Sequence, residues 1–476
     1  MIKNKKIFCL FMIILSVTIM IQLSHAEGLP EFVEDELLIK FKDTVSAESI
    51  QTCENDHNIE FVKEFSQFKV FLHRIRDGRD VISVCNDLNN DPRIEYAEPN
   101  YIQKVDAVPN DPMYDQLWGM NNTGQTGGTP DADIDAPEAW DINKGGSNIV
   151  VGVIDTGVDY NHEDLAANMW VNSGEIPENG IDDDGNEYID DIHGIDAFNN
   201  DGDPFDDNGH GTHVSGTIGA VGNNGIGVVG VNWNVKIMAL KFLGAGGSGS
   251  TAGAIECLDY VTMMKNNFGV NIKLTNNSWG GGGFSQALKD AIEASGILFA
   301  AAAGNDAVDN DIIPHYPANY DSSNILAVAS TDHNDGLSSF SNFGLQSVDI
   351  GAPGSSILST KPGNTYAVHS GTSMATPHAS GVAALLVAAN PALSFSELKS
   401  KIMSSTDPIP ALSGKTVTGG RLNAQSALIV FSNIGDEVII DFGPGTGIWV
   451  RKNDAGWIQL HPSSPVSMVT GDMDGN

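Results

Sequence analysis

Four short segments carry residue types that together suit acyl transfer. Asp155 closes the apolar run Val151-Gly152-Val153-Ile154 and is followed by Thr156-Gly157. His210 stands in Asn208-Gly209-His210-Gly211-Thr212-His213-Val214, with glycine on both sides to leave room for a substrate. Asn305 ends Ala300-Ala301-Ala302-Ala303-Gly304 and offers a side-chain amide donor. Ser373 lies in Ser370-Gly371-Thr372-Ser373-Met374-Ala375-Thr376-Pro377-His378. Attack on an amide carbonyl needs a nucleophile, a base, a carboxylate that orients the base, and a donor for the oxyanion. Ser373, His210, Asp155 and Asn305 fill those roles.

Taken singly, each residue has a plainer reading. Asp155 reads as a turn or cap aspartate, and Ser373 as a helix N-cap. His210 and His213 are spaced i, i+3 as a metal pair, but there is no H-E-x-x-H pattern and no nearby cysteine to favour zinc. His213 alone reads as a satisfied core histidine. The four residues carry weight because they occur together.

The elements that must position them alternate apolar runs with helical patterns over 109–430. Ile149–Ile154, Val235–Phe242, Lys273–Asn277, Ile297–Ala303 and Ile325–Ala329 read as buried strands. Continuous apolar strands between helices predict an α/β fold with a parallel sheet covered on both faces. Ligand sites gather at the carboxyl edge of such sheets, where Asp155 and Asn305 fall. An Ala- and Leu-rich helix runs to about Ala389. Proline is tolerated in a first helical turn, so Pro377 places Ser373 at the helix start, facing free N–H groups and the positive dipole end.

The chain has 476 residues, with Lys+Arg 25 and Asp+Glu 61, for a net charge of −36. That balance repels nucleic acid and anionic membranes. Twelve acidic residues and no Lys or Arg lie between Glu178 and His210. A solvated acidic loop is the plain reading, but the spacing is also metal-like. Asp182, Asp184, Asn186 and Asp190 place oxygens at alternate positions around Gly185, like the first half of an EF-hand loop. Asp196, Asn199, Asp201 and Asp203 form a second oxygen set. Ca2+ would neutralise both as a structural ion.

Residues 1–26 read as a secretory signal: Lys3, Lys5 and Lys6, an apolar run Ile7–Ile21, and a Ser24-His25-Ala26 cleavage site. Cys9 leaves with it, and Cys53 and Cys85 lie upstream of the mature region. Cys257 is then the lone mature cysteine, so an exported enzyme needs a staple other than a disulfide.

The order Asp–His–Ser, with no G-x-S-x-G elbow, separates this chain from other triad families. The motifs VIDTG, NGHGTHVSG, AAAGN and SGTSMATPH, spread over about 320 residues, resemble the subtilisin-like serine peptidases. The related sedolisin branch puts a carboxylate where Asn305 stands. The resemblance implies a secreted endopeptidase of extended polypeptides, acting as a monomer. In it Ser373 attacks, His210 relays the proton, Asp155 holds His210, and Asn305 with the Ser373 N–H binds the oxyanion. Gly244, Gly247 and Gly249, with Ser278 and Gly280, would form two edge strands flanking the substrate. A third calcium site is implied at Asp111, Asp164 and Asn224, completed by the carbonyls of Val221, Ile226 and Val228.

Residues 27–108 resemble the family's inhibitory prosegment, a small α+β unit ending in EYAEPNY and removed by self-cleavage. Within it Glu36–Phe41 and Phe68–Leu72 read as strands and Asp80–Asn89 as a helix. Residues 431–476 read as a short β-rich tail, the truncated start of an FG-GAP-like repeat region ending in Asp472-Met473-Asp474-Gly475-Asn476. Two competing readings are a catalytically silent adhesin, whose tail binds glycans or a cell surface, and a purely structural calcium-binding surface protein. The intact set Asp155, His210, Asn305 and Ser373 argues against both as the main role.

Overall fold

The computed structural model describes residues 32–102 and 108–429, and the backbone of three strands within 438–461. The signal reading of residues 1–26 and the acidic end Asp472–Asn476 fall outside the described residues. The chain divides into two units, residues 106–429 and the remainder.

The N-terminal segment folds as β1 (Phe32–Phe41), α1 (Ala47–Asp56), β2 (Ile59–Phe65), β3 (Val70–Ile75), α2 (Val81–Asn89) and β4 (Ile94–Tyr101). Its sheet order is β2-β3-β1-β4, antiparallel throughout. Asp80 caps α2 by accepting from Ser83 N. Val81, Val84, Cys85 and Leu88 then share a core with Leu37 and Ile39. The expected second strand, Phe68–Leu72, lies instead at Val70–Ile75. Strand β2 was not legible in the sequence, because Ile59 is its one buried residue and no alternation shows.

Within 438–461, β16 (Val438–Asp441), β17 (Ile448–Arg451) and β18 (Trp457–His461) pair antiparallel in that order.

The unit that carries the triad segments begins with α3 (Ala136–Ile142) and β5 (Gly145–Asp155). There follow β6 (Gly194–Asp196), α4 (His210–Gly219), β7 (Asn234–Lys241), α5 (Thr251–Asn267), β8 (Ile272–Asn277), α6 (Gln286–Ser295) and β9 (Leu298–Ala302). The remainder is β10 (Ile325–Thr331), β11 (Ile350–Pro353), β12 (Ile357–Lys361), β13 (Thr365–His369), α7 (Thr372–Ala389), α8 (Phe395–Ser404), β14 (Asp407–Pro408), β15 (Gly420–Arg421) and α9 (Ala424–Leu428).

The main sheet runs β14-β15-β11-β10-β9-β8-β5-β7-β6, parallel except for the short edge strand β14. Side chains of β5 alternate between two cores. Ile149, Val151 and Val153 pack with Val214 and Ile218 of α4 and Ala379, Val382 and Leu386 of α7. Val150 and Ile154 pack with Leu258 and Val261 of α5 and Ile292 of α6. Burial on both faces is the physical reason these strands read as unbroken apolar runs.

Helix α7 begins at Thr372, with Gly371 as N-cap, so Ser373 does stand at its start. Pro377 does not fall in the first turn as expected. It sits one turn further in, where its missing N–H leaves the Ser373 carbonyl without an i+4 donor. Ser278 Oγ fills that position, donating to Ser373 O at 2.8 Å.

Candidate active site

Asp155 ends β5 fully buried, and His210 opens α4 with its ring part exposed. Two glycines allow the approach. Gly209 takes φ +96 at the N-cap, and a Cβ on Gly211 would lie 2.1 Å from Gly157 O. A side chain at 211 would push α4 off the strand end.

The result is a 2.8 Å contact between His210 Nδ1 and Asp155 Oδ1. Burial alone would lower the His210 pKa. The adjacent Asp155 charge and hydrogen bond outweigh it and hold the pKa above the ordinary imidazole value. Asp155 Oδ1 also accepts from Thr156 N at 2.7 Å, while Oδ2 has no partner among the described residues.

Asp206, which sequence reading passed over, ties this pair to the sheet. Its Oδ1 accepts from Gly209 N at 2.7 Å and from Thr156 Oγ1 at 2.8 Å; its Oδ2 accepts from Thr212 N at 2.9 Å. The carboxylate therefore caps the His210 helix and grips the residue beside Asp155. Its place four residues before His210, where a helix begins, was the available cap signal.

Ser373 Oγ donates to Ser278 O at 3.0 Å. Asn305 follows β9 on an exposed turn. Its Oδ1 accepts from Thr372 N at 2.8 Å and Thr372 Oγ1 at 3.0 Å. With the oxygen engaged, the Nδ2 amide is the end left to donate beside Ser373. Met374, adjoining Ser373, is buried.

A cleft of about 450 Å³ adjoins His210, lined by Phe242, Gly247, Gly249, Ser278, Trp279, Gly280 and Tyr316 among others. Gly247, Gly249, Ser278 and Gly280 line this cleft. Gly244 is not among its walls: a Cβ there would strike the Phe198 ring at 2.5 Å, so its role is close packing. Segment 243–249 is not a free edge strand either. Leu243 and Gly249 pair with each other, closed by Gly247 N donating to Gly244 O. Trp279 and Tyr316 were missed as cleft walls, although Trp279 lies inside the Ser278–Gly281 motif.

The acidic residues separate into different environments. Carboxylate oxygens of Glu175, Asp184 and Asp191 lie within 4.8 Å of one another, with Glu175 and Asp191 buried. Burial raises the Asp191 pKa to about 6. Three converging, largely buried carboxylates fit a hard cation such as calcium. Of the first predicted set, Asp184 joins this cluster, and Asn186 Nδ2 donates to Asp191 Oδ2 at 2.8 Å. Asp182 and Asp190 instead accept from loop amides, those of Gly185 and Gly180. Glu175 was missed because it precedes the acidic run, and Asp191 because it breaks the alternate spacing.

The second set does not converge into such a group. Asp196 accepts from Phe198 N and Asn199 N, Asp201 from Asp203 N, and Asp203 from Tyr160 Oη. At the third set, Asp111 and Asp164 are buried together beside Asn224. Asn224 Nδ2 donates to Asp164 Oδ1 at 2.8 Å, and Asn224 N to Asp111 Oδ1 at 3.2 Å. Burial, reinforced by the Asp111 charge, raises the Asp164 pKa to about 6. The loop of Val221, Ile226 and Val228 wraps this pair, with Val228 N donating to Asp164 Oδ2 at 2.9 Å and Val221 N to Asp164 O at 2.9 Å.

Comparison with known proteins matches residues 146–435 to the subtilase family, peptidase S8. The chain belongs to the subtilase family of serine peptidases. Residues 21–100 of this subtilase match the fervidolysin N-terminal prodomain. A thermophilic serine proteinase of Bacillus sp. (strain AK1) is 34% identical over 412 residues, 86% of this chain and 90% of that protein. Thermitase of Thermoactinomyces vulgaris is 39% identical over 301 residues, covering 62% of this subtilase and 93% of thermitase. A solved protease of Pseudoalteromonas arctica PAMC 21717 superposes with a TM-score of 0.54 at 30% identity, covering 68% of this chain and 99% of that one. The subtilase is a serine endopeptidase made with a prodomain.

Proposed function

We propose a secreted, calcium-stabilised endopeptidase that cleaves extended polypeptides through Ser373, His210 and Asp155. One observation carries the reading: the buried Asp155 carboxylate holds His210 Nδ1 at 2.8 Å. That bond fixes the tautomer that leaves Nε2 free to accept a proton. Ser373 Oγ gives its proton to His210 Nε2 as it attacks the scissile carbonyl. Asp155 stabilises the imidazolium, and Asn305 Nδ2 with the Ser373 N–H takes the oxyanion. His210 then delivers the proton to the leaving amine, and water repeats the cycle on the acyl-enzyme.

The cation supplies structure, not chemistry, and would be held by Glu175, Asp184 and Asp191 and by Asp111 with Asp164. The prodomain is proposed to inhibit until self-cleavage, in front of Asp111. The apolar start of the chain supports export. A surface- or glycan-binding role for residues 431–476 is kept as an accessory reading.

The test is active-site labelling with a fluorophosphonate probe, with and without calcium, beside Ser373→Ala. Labelling that needs calcium and is lost in Ser373→Ala supports the reading. Absence of labelling in folded protein freed of its prodomain removes it and promotes the adhesin.

A further inference from the structure

The strands β12 and β13 form a two-stranded hairpin clamped to the helix that opens with His210. Thr360 Oγ1 donates to Thr212 O at 2.8 Å, and Ser359 Oγ to His213 O at 2.7 Å. His213 Nε2 lies 3.1 Å from Ile357 O and 3.0 Å from Ala367 O. His369 stacks on His213 with ring centroids 4.5 Å apart. The clamp fixes the end of β12, and Lys361 with it, at the start of α4. A Cβ on Gly209 would lie 2.5 Å from Lys361 Nζ.

This is an unfavourable place for an ammonium. The helix N-terminus carries partial positive charge, and His210 becomes a cation during turnover. The Lys361 ammonium has no hydrogen bond or ion pair among the described residues, in a protein of net charge −36. Neighbouring carboxylates are engaged elsewhere. Asp206 accepts from Gly209 N and Thr212 N, Asp207 pairs with Lys241 at 2.7 Å, and Asp159 accepts from Gly363 N.

The cleft of Leu243, Gly247–Gly249 and Ser278–Gly283 lies on one side of His210. Lys361 and His369 are not among its walls; they meet the catalytic helix from the hairpin. If the acyl part of a substrate occupies that cleft, the hairpin side of His210 is left for the departing amine and the residues that follow it.

We propose that Lys361, with His369 as the adjoining wall, is a specificity determinant on the leaving-group side, favouring Asp or Glu in the first two positions after the scissile bond. The proposal rests on the peptidase reading above and narrows its substrate class. An incoming carboxylate supplies the counter-charge that Lys361 lacks.

The test uses internally quenched peptides sharing one acyl-side sequence. They carry Glu, Gln or Lys at the first or second position after the bond and are read as ratios of kcat/KM at constant pH. The expected Glu/Gln ratio is about two to five at low ionic strength, the range of a solvent-exposed ion pair, and falls toward one in high salt. Lys361→Arg keeps the ratio, Lys361→Met removes it, and Lys361→Glu turns it toward Lys. A wild-type ratio of one or below at both positions overturns the proposal, as does an unchanged ratio in Lys361→Met. If the Met and Glu variants do not fold, the salt dependence of the wild type and the Arg variant decide. Failure to cleave any peptide removes the peptidase reading and this proposal with it, a result distinct from cleavage without preference.

Discussion

Ser278 and Ser373 bond each other twice: Ser278 Oγ donates to Ser373 O at 2.8 Å, and Ser373 Oγ donates to Ser278 O at 3.0 Å. The first bond satisfies the carbonyl that Pro377 orphans inside α7. The second ties the Ser373 hydroxyl to Ser278, a wall of the cleft beside His210. Ser278→Ala removes the first bond and leaves a part-buried carbonyl without its protein donor. A stability loss of about 1–3 kcal/mol is expected, read by denaturant unfolding of the active-site-blocked enzyme. An unchanged midpoint would mean that water replaces the hydroxyl.

Asn305 has its oxygen held by Thr372, which leaves its amide to donate. Asn305→Leu should lower kcat by about 10²–10³ with KM little changed, the signature of a donor acting mainly in the transition state. A change confined to KM would place Asn305 in ground-state binding instead.

In the proposed mechanism His210 must be neutral to accept the Ser373 proton; burial would lower its pKa, but the Asp155 charge and hydrogen bond outweigh burial and hold it above the ordinary imidazole value of about 6.5. The acid limb of kcat/KM should therefore have its midpoint above 6.5 in the wild type. In Asp155→Asn the residual activity should show a midpoint shifted to lower pH, and kcat should drop about 10⁴-fold by the logic of a mis-set tautomer. A limb that stays in place in Asp155→Asn would point to a different titrating group.

Two other histidines make the fold acid-labile. Burial lowers the pKa of His213 to about 3 and of His378 to about 4. The unfolded chain protonates both near 6.5 while the native state does not. Stability is thus fully present above pH 6.5 and is lost as pH falls through the interval down to those values. Each contributes a loss of about 2 kcal/mol between pH 7 and pH 5. Thermal unfolding of His378→Gln should depend less steeply on pH across that range than the wild type. Equal slopes would remove His378 from the account.

Metal removal should act unevenly across the acidic loop. The carboxylates of Glu175, Asp184 and Asp191 converge within 4.8 Å, with Tyr260 Oη and loop amides as donors to Asp191 and Glu175, whereas Asp203 lies outside that group and accepts from Tyr160 Oη. A chelator should lower Tm, and calcium should restore it in proportion to free ion. Glu175→Gln and Asp191→Asn should blunt that response, and Asp203→Asn should not. A full calcium response in Asp191→Asn would move the site to the Asp111–Asp164 pair.

The sequence by itself marked the central strands of the main sheet and the four positions proposed to carry the chemistry. Both are local: Ile149–Ile154 is apolar because β5 is buried on both faces, and Asp155, Asn305 and Ser373 stand where an apolar run ends or a helix begins. The glycines beside His210 read in the sequence as room for a substrate, whereas in the fold they admit Gly157 and Lys361 from distant segments. Tertiary structure decided which partners those residues meet. Asp184 faces Glu175 and Asp191 rather than Asp182 and Asp190, because the loop folds back on itself and alternate spacing does not fix which carboxylates turn inward. Gly244 serves Phe198 rather than substrate, and Pro377 is tolerated in the second turn only because Ser278 arrives from β8 to satisfy the freed carbonyl. Lys361 is an ordinary hairpin lysine in the sequence. It gained a place beside His210 only when β12 packed on α4, a contact between segments about 150 residues apart.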